Sequence, residues 1–382
     1  MKEAKTPGTP PLERRALLAT LLATGLAPAW AARPDAIVLG QTLSIGAGAD
    51  GSAARVIDGT KACIGAVNAR GGVNGRMIEL VTLDGADAAA HAKNARALVA
   101  EHGAVALLNC TGDAACAAIA KVARELYVPF VGPMSSSREL LRSRSRYHFP
   151  IRATNDKQAE ALSRQMRSMG VSRAAILTDQ TGPSERAESL KPLLDADRIS
   201  STLLRIDPAN PATFEAAVKA LGATQFHAVV VDLLPQTIDK LSEKGLTDRP
   251  EWPRMLTSFA SIGLVGLSGA FPGRVIGFAS VVPHPESVAS TLTQELHRNA
   301  EKYSTGYAIN FEGMEAYLNA RVCVEGLRRI TGRPDAAKLT DSLEKLERVD
   351  FGGFTVSFAG GRETGSDWVD VGVRSRQGYY LK

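Results

Sequence analysis

The chain has 382 residues, 45 Lys and Arg against 40 Asp and Glu, a formal charge of +5 and 45% hydrophobic residues. So mild a basic balance excludes the concentrated positive face that a nucleic-acid partner needs, and four cysteines are too few for a disulfide scaffold. The length exceeds what one hydrophobic core holds and predicts two domains.

The N-terminal segment carries Arg14-Arg15, an apolar run from Ala16 to Leu26 and the small-residue site Ala29-Trp30-Ala31. That order is a secretory signal peptide, with an apolar run too short to remain as a membrane-spanning helix. Residues 1–31 are expected to be removed, leaving a mature chain that works outside the cytoplasm. Loss of Lys2, Lys5, Arg14 and Arg15 together with Glu3 and Glu13 lowers the charge to +3. Glu13 stands where a twin-arginine leader usually has Ser or Thr, and no Phe-Leu-Lys follows, so general secretory export is the expectation. No cysteine lies at the cleavage site to carry a lipid anchor, and no later segment is apolar over membrane length.

From Ala36 short apolar runs alternate with helical stretches, the pattern of a parallel sheet covered on both faces. Strands are predicted at Ile37 to Gly40, Ile78 to Leu83, Val105 to Leu108 and Pro129 to Gly132. Between them Ala53, Val56, Ile57, Ile64 and Val67 recur at helical spacing, as do Ala95, Leu98 and Val99. Cys110 and Cys116 flank a strand-to-helix turn. They could bridge in an oxidising compartment or remain buried thiols; thiols are the expectation, since spacing carries no disulfide geometry. Cys63 and Cys323 lie on apolar helix faces and read as core.

A second series follows Phe149-Pro150-Ile151, with strands at Ala174 to Thr178, His227 to Asp232, Met255 to Thr257 and Val275 to Ala279. Helical periodicity resumes over Glu286 to Lys302, Phe311 to Ile330 and Ala336 to Leu346. Strand-like runs at Phe354 to Phe358 and Trp368 to Val373 close the chain. The fold class read from this pattern is α/β, two doubly wound parallel-sheet lobes with more than one passage of the chain between them.

The segment VNARGGVNGRMIELVTLDGADAAAHAKNARALV, with Gly71, Gly72 and Gly75 placed to stop a helix and start a strand, resembles the branched-chain-amino-acid type of periplasmic solute-binding protein of ABC importers. VPFVGPMSSSRELL, YHFPIRATNDKQAEAL, FEGMEAYLNARVCVEGLRRI and DFGGFTVSFAGG resemble the same family in the same order. The resemblance implies a type I periplasmic-binding fold, with a three-strand hinge and a ligand cleft between the lobes. The crossings are expected near Arg152, Val281 and Asp350. Lobe one would then hold 32–152 and 282–349, and lobe two 153–281 and 350–382. It further implies a monomer in the periplasm that delivers its ligand to a membrane permease, without cofactor, metal or catalysis. A sensor role in a signalling system is the alternative that this fold leaves open.

Ligands of open α/β sheets sit beyond the carboxyl ends of the strands, where helix N-termini offer free N–H groups. On lobe one this selects Ser44 in the loop Leu43 to Ser52, then Gly112, Asp113 and Ala114, and then Ser135 and Ser136 in Ser135-Ser136-Ser137. Asp113 would repel a ligand carboxylate, and it reads alternatively as the cap of the following helix, the favoured role. The two serines read alternatively as turn formers. On lobe two, Gly182-Pro183 and Leu233-Leu234 stand where the family often places aromatic contacts, and Phe259 near where it places the acid that pairs a ligand ammonium. An ordinary α-amino acid is therefore not the expected ligand, a buried unpaired ammonium being costly. Phe259 reads either as a contact for an apolar ligand body or as core. Asp179 and Asp232 end strands in the same region and are candidate polar anchors or solvated strand ends.

Gly46-Ala47-Gly48-Ala49-Asp50-Gly51 spells the dinucleotide motif, but no acid follows at the required distance of about 20 residues. No G-x-S-x-G, H-E-x-x-H or C-x-x-C occurs, so hydrolase and metal chemistry have no motif to stand on.

Overall fold

The computed structural model describes residues 35–46, 51–142, 145–179, 184–260, 267, 269–287, 289–306, 308–374 and 380–381. The expected signal peptide lies outside them.

Strand β1 (Ile37–Leu43) is joined by α1 (Ser52–Asn68) to β2 (Ile78–Asp84), and then α2 (Ala88–Ala100), β3 (Ala106–Leu108), α3 (Asp113–Glu125), β4 (Phe130–Val131), α4 (Arg138–Arg142) and β5 (His148–Phe149) follow. The strands form a parallel sheet in the order β2-β1-β3-β4-β5. Successive side chains of a strand point to opposite faces, and the sheet is covered on both. Leu108 and Val131 enter one core with α1, while their neighbours Leu107 and Phe130 enter another with Leu98 and Ile119. The turn ending α1 needs its glycines, since Gly71, Gly72 and Gly75 have φ of 92°, 77° and 81°. A Cβ on Gly72 would also lie 2.0 Å from the Arg76 carbonyl oxygen.

The second series runs α5 (Asn155–Ser168), β6 (Arg173–Thr178), α6 (Glu185–Ala196), β7 (Ser200–Arg205), α7 (Ala212–Thr224), β8 (Ala228–Asp232), α8 (Pro235–Glu243), β9 (Met255–Ser258) and β10 (Val275–Ser280). Strand β7 was not anticipated: it is a sheet edge whose residues are exposed or half-buried, so Ser200–Arg205 carries no apolar alternation. The chain continues through α9 (Thr291–Tyr303), α10 (Phe311–Arg328), α11 (Ala336–Glu344) and the short antiparallel pair β11 (Val349–Asp350) and β12 (Thr355–Val356). Helix α10 lies so close to α1 that a Cβ on Gly59 would sit 2.1 Å from the Gly313 oxygen. Strands β13 (Asp370–Arg374) and β14 (Tyr380–Leu381) complete a seven-stranded sheet in the order β14-β13-β10-β9-β8-β6-β7. Its two final strands are antiparallel, so the expected purely parallel sheet is mixed at one edge.

The chain leaves the first core at Ile151, joins a second-sheet core at Ala159, and returns between Ala279 and Val282. The third passage lies later than the expected Asp350, because Phe351, Phe354 and Val356 still pack in the first core and the second sheet resumes only at Asp370. Two passages run side by side, with the Gly365 N–H donating to the Pro150 carbonyl at 2.8 Å and the Ser366 N–H to that of Ile151 at 3.0 Å.

Candidate functional cleft

The carboxyl ends of strands from both sheets contribute to one set of polar contacts. After β3, Gly112 (φ 89°) occupies the cap position of α3 and Asp113 opens the helix. The capping role expected of Asp113 is not what the structure shows. Gly112 takes the cap position and Asp113 lies one residue inside the helix; its Oδ1 accepts the Ser135 hydroxyl at 2.7 Å and Oδ2 lies 3.4 Å from Nη2 of Arg186. Arg186 stands in the first turn of α6, beyond β6 of the other sheet. Its Nη1 donates at 3.0 Å to Asp232, whose second oxygen accepts the hydroxyls of Ser184 at 2.6 Å and Thr178 at 3.4 Å. Arg186 is thereby held between a buried carboxylate of its own sheet and one of the facing sheet that is 47% exposed. Its Nε is buried without a hydrogen-bond partner.

A second cross-connection starts at Arg138, at the head of α4. Its backbone N–H donates to Glu185 at 2.7 Å, and its guanidinium donates to Glu188 at 2.7 Å and to Ser189 at 3.1 Å, all on α6. Deeper, where the chain passes between the cores, Arg152 and Glu315 of α10 form a two-bond pair at 2.8 and 2.7 Å, with side chains 4% and 6% exposed. Arg55 of α1 donates to Glu312 at 3.1 Å.

The remaining candidates divide by what their polar atoms already do. Gly112 and Ala114 are exposed at the start of α3, so the N–H groups there are accessible. Ser44, half-buried, donates to the Gly85 carbonyl at 2.9 Å. Ser136 is buried, donates to the Ala153 carbonyl at 2.9 Å and accepts from Gln158 at 3.3 Å, so its hydroxyl ties a turn to the crossover. Asp179 accepts the Leu234 N–H at 2.8 Å and the Thr237 hydroxyl at 2.6 Å, serving the start of α8, which has no cap side chain of its own. Phe259 is 1% exposed and packs in a core of the second sheet. Residues 47–50 of the glycine motif, and Gly182-Pro183, lie outside the described residues. The residues that sequence reading missed are Arg138, Arg186 and Glu185. The only signal for them was position, one to three residues beyond a strand-end loop already singled out.

All four cysteines are buried and free, so Cys110 and Cys116 form no bridge; the Cys116 thiol donates to the Cys110 carbonyl at 3.3 Å. Burial pushes the Cys63 and Cys323 thiols up to about 12, which keeps them protonated and unreactive. Among the described residues no cluster of His, Cys, Asp and Glu could hold a metal ion, and no helix is long and apolar enough to cross a membrane.

Two α/β sheets facing each other at their carboxyl ends, bridged by side chains from both, define a cleft-forming binding fold. The chain belongs to the periplasmic binding protein family, whose family model matches residues 38–369, and family membership implies a protein of the extracytoplasmic space. Similar solved structures include a substrate-binding periplasmic protein from Ralstonia solanacearum, 24% identical, with TM-score 0.78 over 90% of this chain and 99% of that one. An extracellular ligand-binding receptor from Verminephrobacter eiseniae is 22% identical, with TM-score 0.77 over 91% and 100%. The branched-chain amino acid transporter substrate-binding protein from Streptococcus pneumoniae, solved with isoleucine, is 16% identical, with TM-score 0.70 over 89% and 96%. Among curated proteins none matches.

Proposed function

We propose that the chain is a non-catalytic solute receptor that captures a small organic molecule, an amino acid, aromatic or carboxylic acid, or amide, between two lobes and delivers it to the permease of an ABC importer. The observation that carries this reading is the meeting of Asp113 and Arg138 from one sheet with Arg186 and Glu185 from the other. These are contacts that open and close with a hinge, at the place where α/β folds bind ligands. The substrate-binding and transporter roles of the structural relatives point the same way.

In this reading residues 1–31 are a signal peptide and the exported monomer works in the periplasm. Lobe one comprises 32–152 and 282–349, extended to about residue 366 by the packing of Phe351, Phe354 and Val356, and lobe two holds the rest. Gly112, Asp113 and Ala114 line the lobe-one wall, with buried Ser135 holding Asp113 from behind and accepting the Ser137 N–H at 3.2 Å. Ser136, Asp179 and Phe259 support the walls from behind, since their polar atoms or ring faces are already engaged within the protein.

A thermal-shift screen of amino acids, aromatic acids, amides and dicarboxylates tests this. Binding to the folded state alone raises stability by about 2.7 kcal/mol at a hundredfold excess over Kd. At least one class is expected to raise the melting temperature in a saturable way; no shift from any class would count against a receptor.

A further inference from the structure

Several arginines among the described residues face carboxylates with the Nε and Nη2 edge of the guanidinium. Arg55 and Arg186 each meet an acid through Nη2 while Nε is buried without an acceptor, and of these two Arg186 is the one shared between carboxylates of both sheets. Nε and Nη2 lie side by side and together match the two oxygens of a carboxylate. Arg152 uses both on Glu315, at 2.8 and 2.7 Å, and Arg146 uses both on Glu344, at 3.2 and 2.6 Å. Arg186 uses only Nη2, at 3.4 Å, on Asp113, while its Nε is buried with no acceptor. Its opposite side, Nη1, is fixed on Asp232. Asp232 is in turn fixed by Ser184 and Thr178, so the guanidinium is held in place whether or not Asp113 stays.

Asp113 is the partner built to leave. It is the more exposed of the two carboxylates on Arg186, and its contact with Nη2 is the longest of these pairings. Its other oxygen accepts the Ser135 hydroxyl at 2.7 Å, a bond in which the arginine takes no part. We infer that Arg186 is the anion anchor of the cleft: a small organic carboxylate displaces Asp113 from the Nε and Nη2 edge and takes both N–H groups. The inference rests on the receptor reading above and names the ligand class of that site. It places recognition of the carboxylate on the second-sheet side, whereas strand-end position alone selects the amides and hydroxyls around Gly112 and Ser135. It also gives Asp113 a physical role, as the internal carboxylate that fills the arginine while the cleft is empty.

The test is titration of three matched pairs, L-leucine with L-leucinamide, benzoate with benzamide, and succinate with succinamide, against the full mature protein and two variants. In the wild type at least one acid is expected to bind at least tenfold more tightly than its amide. Arg186→Lys keeps a cation beside buried Asp232 and so protects the fold, but it removes the side-on edge; it should cost that acid at least tenfold and erase the preference over the amide. Asp113→Asn weakens the competitor and should tighten the same acid severalfold. Lys191→Gln, on an exposed part of the same helix, should change nothing. Amides binding as well as acids, or Arg186→Lys retaining the acid preference, would overturn the inference and leave the receptor reading standing. Weaker acid binding in Asp113→Asn would likewise overturn it. Absence of binding by all six compounds would count against the receptor reading and take this inference with it.

Discussion

Arg152 and Arg186 both meet carboxylates close to where the two sheets join, and they do so in opposite ways. Arg152 is sealed: two short bonds to a single acid, Glu315, with both side chains almost wholly buried. Arg186 is split between Asp232, which is buried and fixed, and Asp113, which is exposed and reached across the cleft. A buried charge cannot lose its partner without a large desolvation penalty, whereas an exposed one exchanges its partner for water or ligand at little cost. Within one chain arginine–carboxylate pairing thus takes a sealed form beside the crossover and an exposed form at the strand ends.

The largest expected effect breaks the sealed pair. Arg152→Ala leaves Glu315 buried and unpaired and should lower stability by about 3–5 kcal/mol, read from chemical denaturation. Replacing both members, Arg152→Met with Glu315→Leu, should recover most of that loss. If the double variant is as unstable as the single, the pair is doing something other than neutralising charge.

Ser136 belongs with the sealed side of the comparison. Ser136→Ala removes the hydroxyl between the Ala153 carbonyl and Gln158, but that carbonyl keeps the Gln158 amide at 3.2 Å, so the loss should be that of an ordinary hydrogen bond, about 0.5–1.5 kcal/mol of unliganded stability. A midpoint identical to the wild type would place that turn among the loosely held parts.

Two histidines sharpen the contrast by titration. Burial holds His91 below the ordinary imidazole range, against the pull of Asp87 and Asp84, and holds His148 low as well, against the carbonyl of Ala120 that its Nε2 bonds at 2.8 Å. The unfolded chain therefore takes up protons at a pH, about 6.5, where the folded one does not. Stability from these sites is complete above that pH and declines as pH falls from about 6.5 towards the depressed folded values. His148→Gln should flatten this decline in melting temperature against pH; an unchanged profile would assign the slope elsewhere.

The smallest effect lies at the exposed contacts. Arg138→Gln should change stability by no more than about 1 kcal/mol, because its carboxylate partners, Glu188 on α6 and Asp156 on α5, are substantially exposed. It should nevertheless widen the molecule at low salt, as measured by small-angle scattering, and remove the expansion that added salt produces in the wild type. An unaltered radius at every salt concentration would show that closure does not depend on these charges.

Much of the fold was legible before any coordinates. The paired Leu107-Leu108 and Phe130-Val131 mark strands covered on both faces, and the Gly71, Gly72 and Gly75 spacing marks a turn that only positive φ permits. Strand β7 was not legible, because an exposed edge carries no alternation to read. Nor was the late third passage: Phe351, Phe354 and Val356 look the same in sequence whichever core receives them.

The site was legible by position and not by chemistry. Strand ends selected the loops around Gly112 and Ser135 because backbone geometry places helix N-termini there whatever the side chains are. That Asp113 faces an arginine 73 residues away, and that Ser136 turns inward while Ser135 turns to Asp113, depends on which side chains reach one another once both sheets are packed. Local periodicity determined the layers of this protein, since burial of apolar faces acts on every residue of an element at once. Ion-pair partners were left to the tertiary structure, because a long charged side chain satisfies its electrostatics with whatever the packed fold brings within about 4 Å.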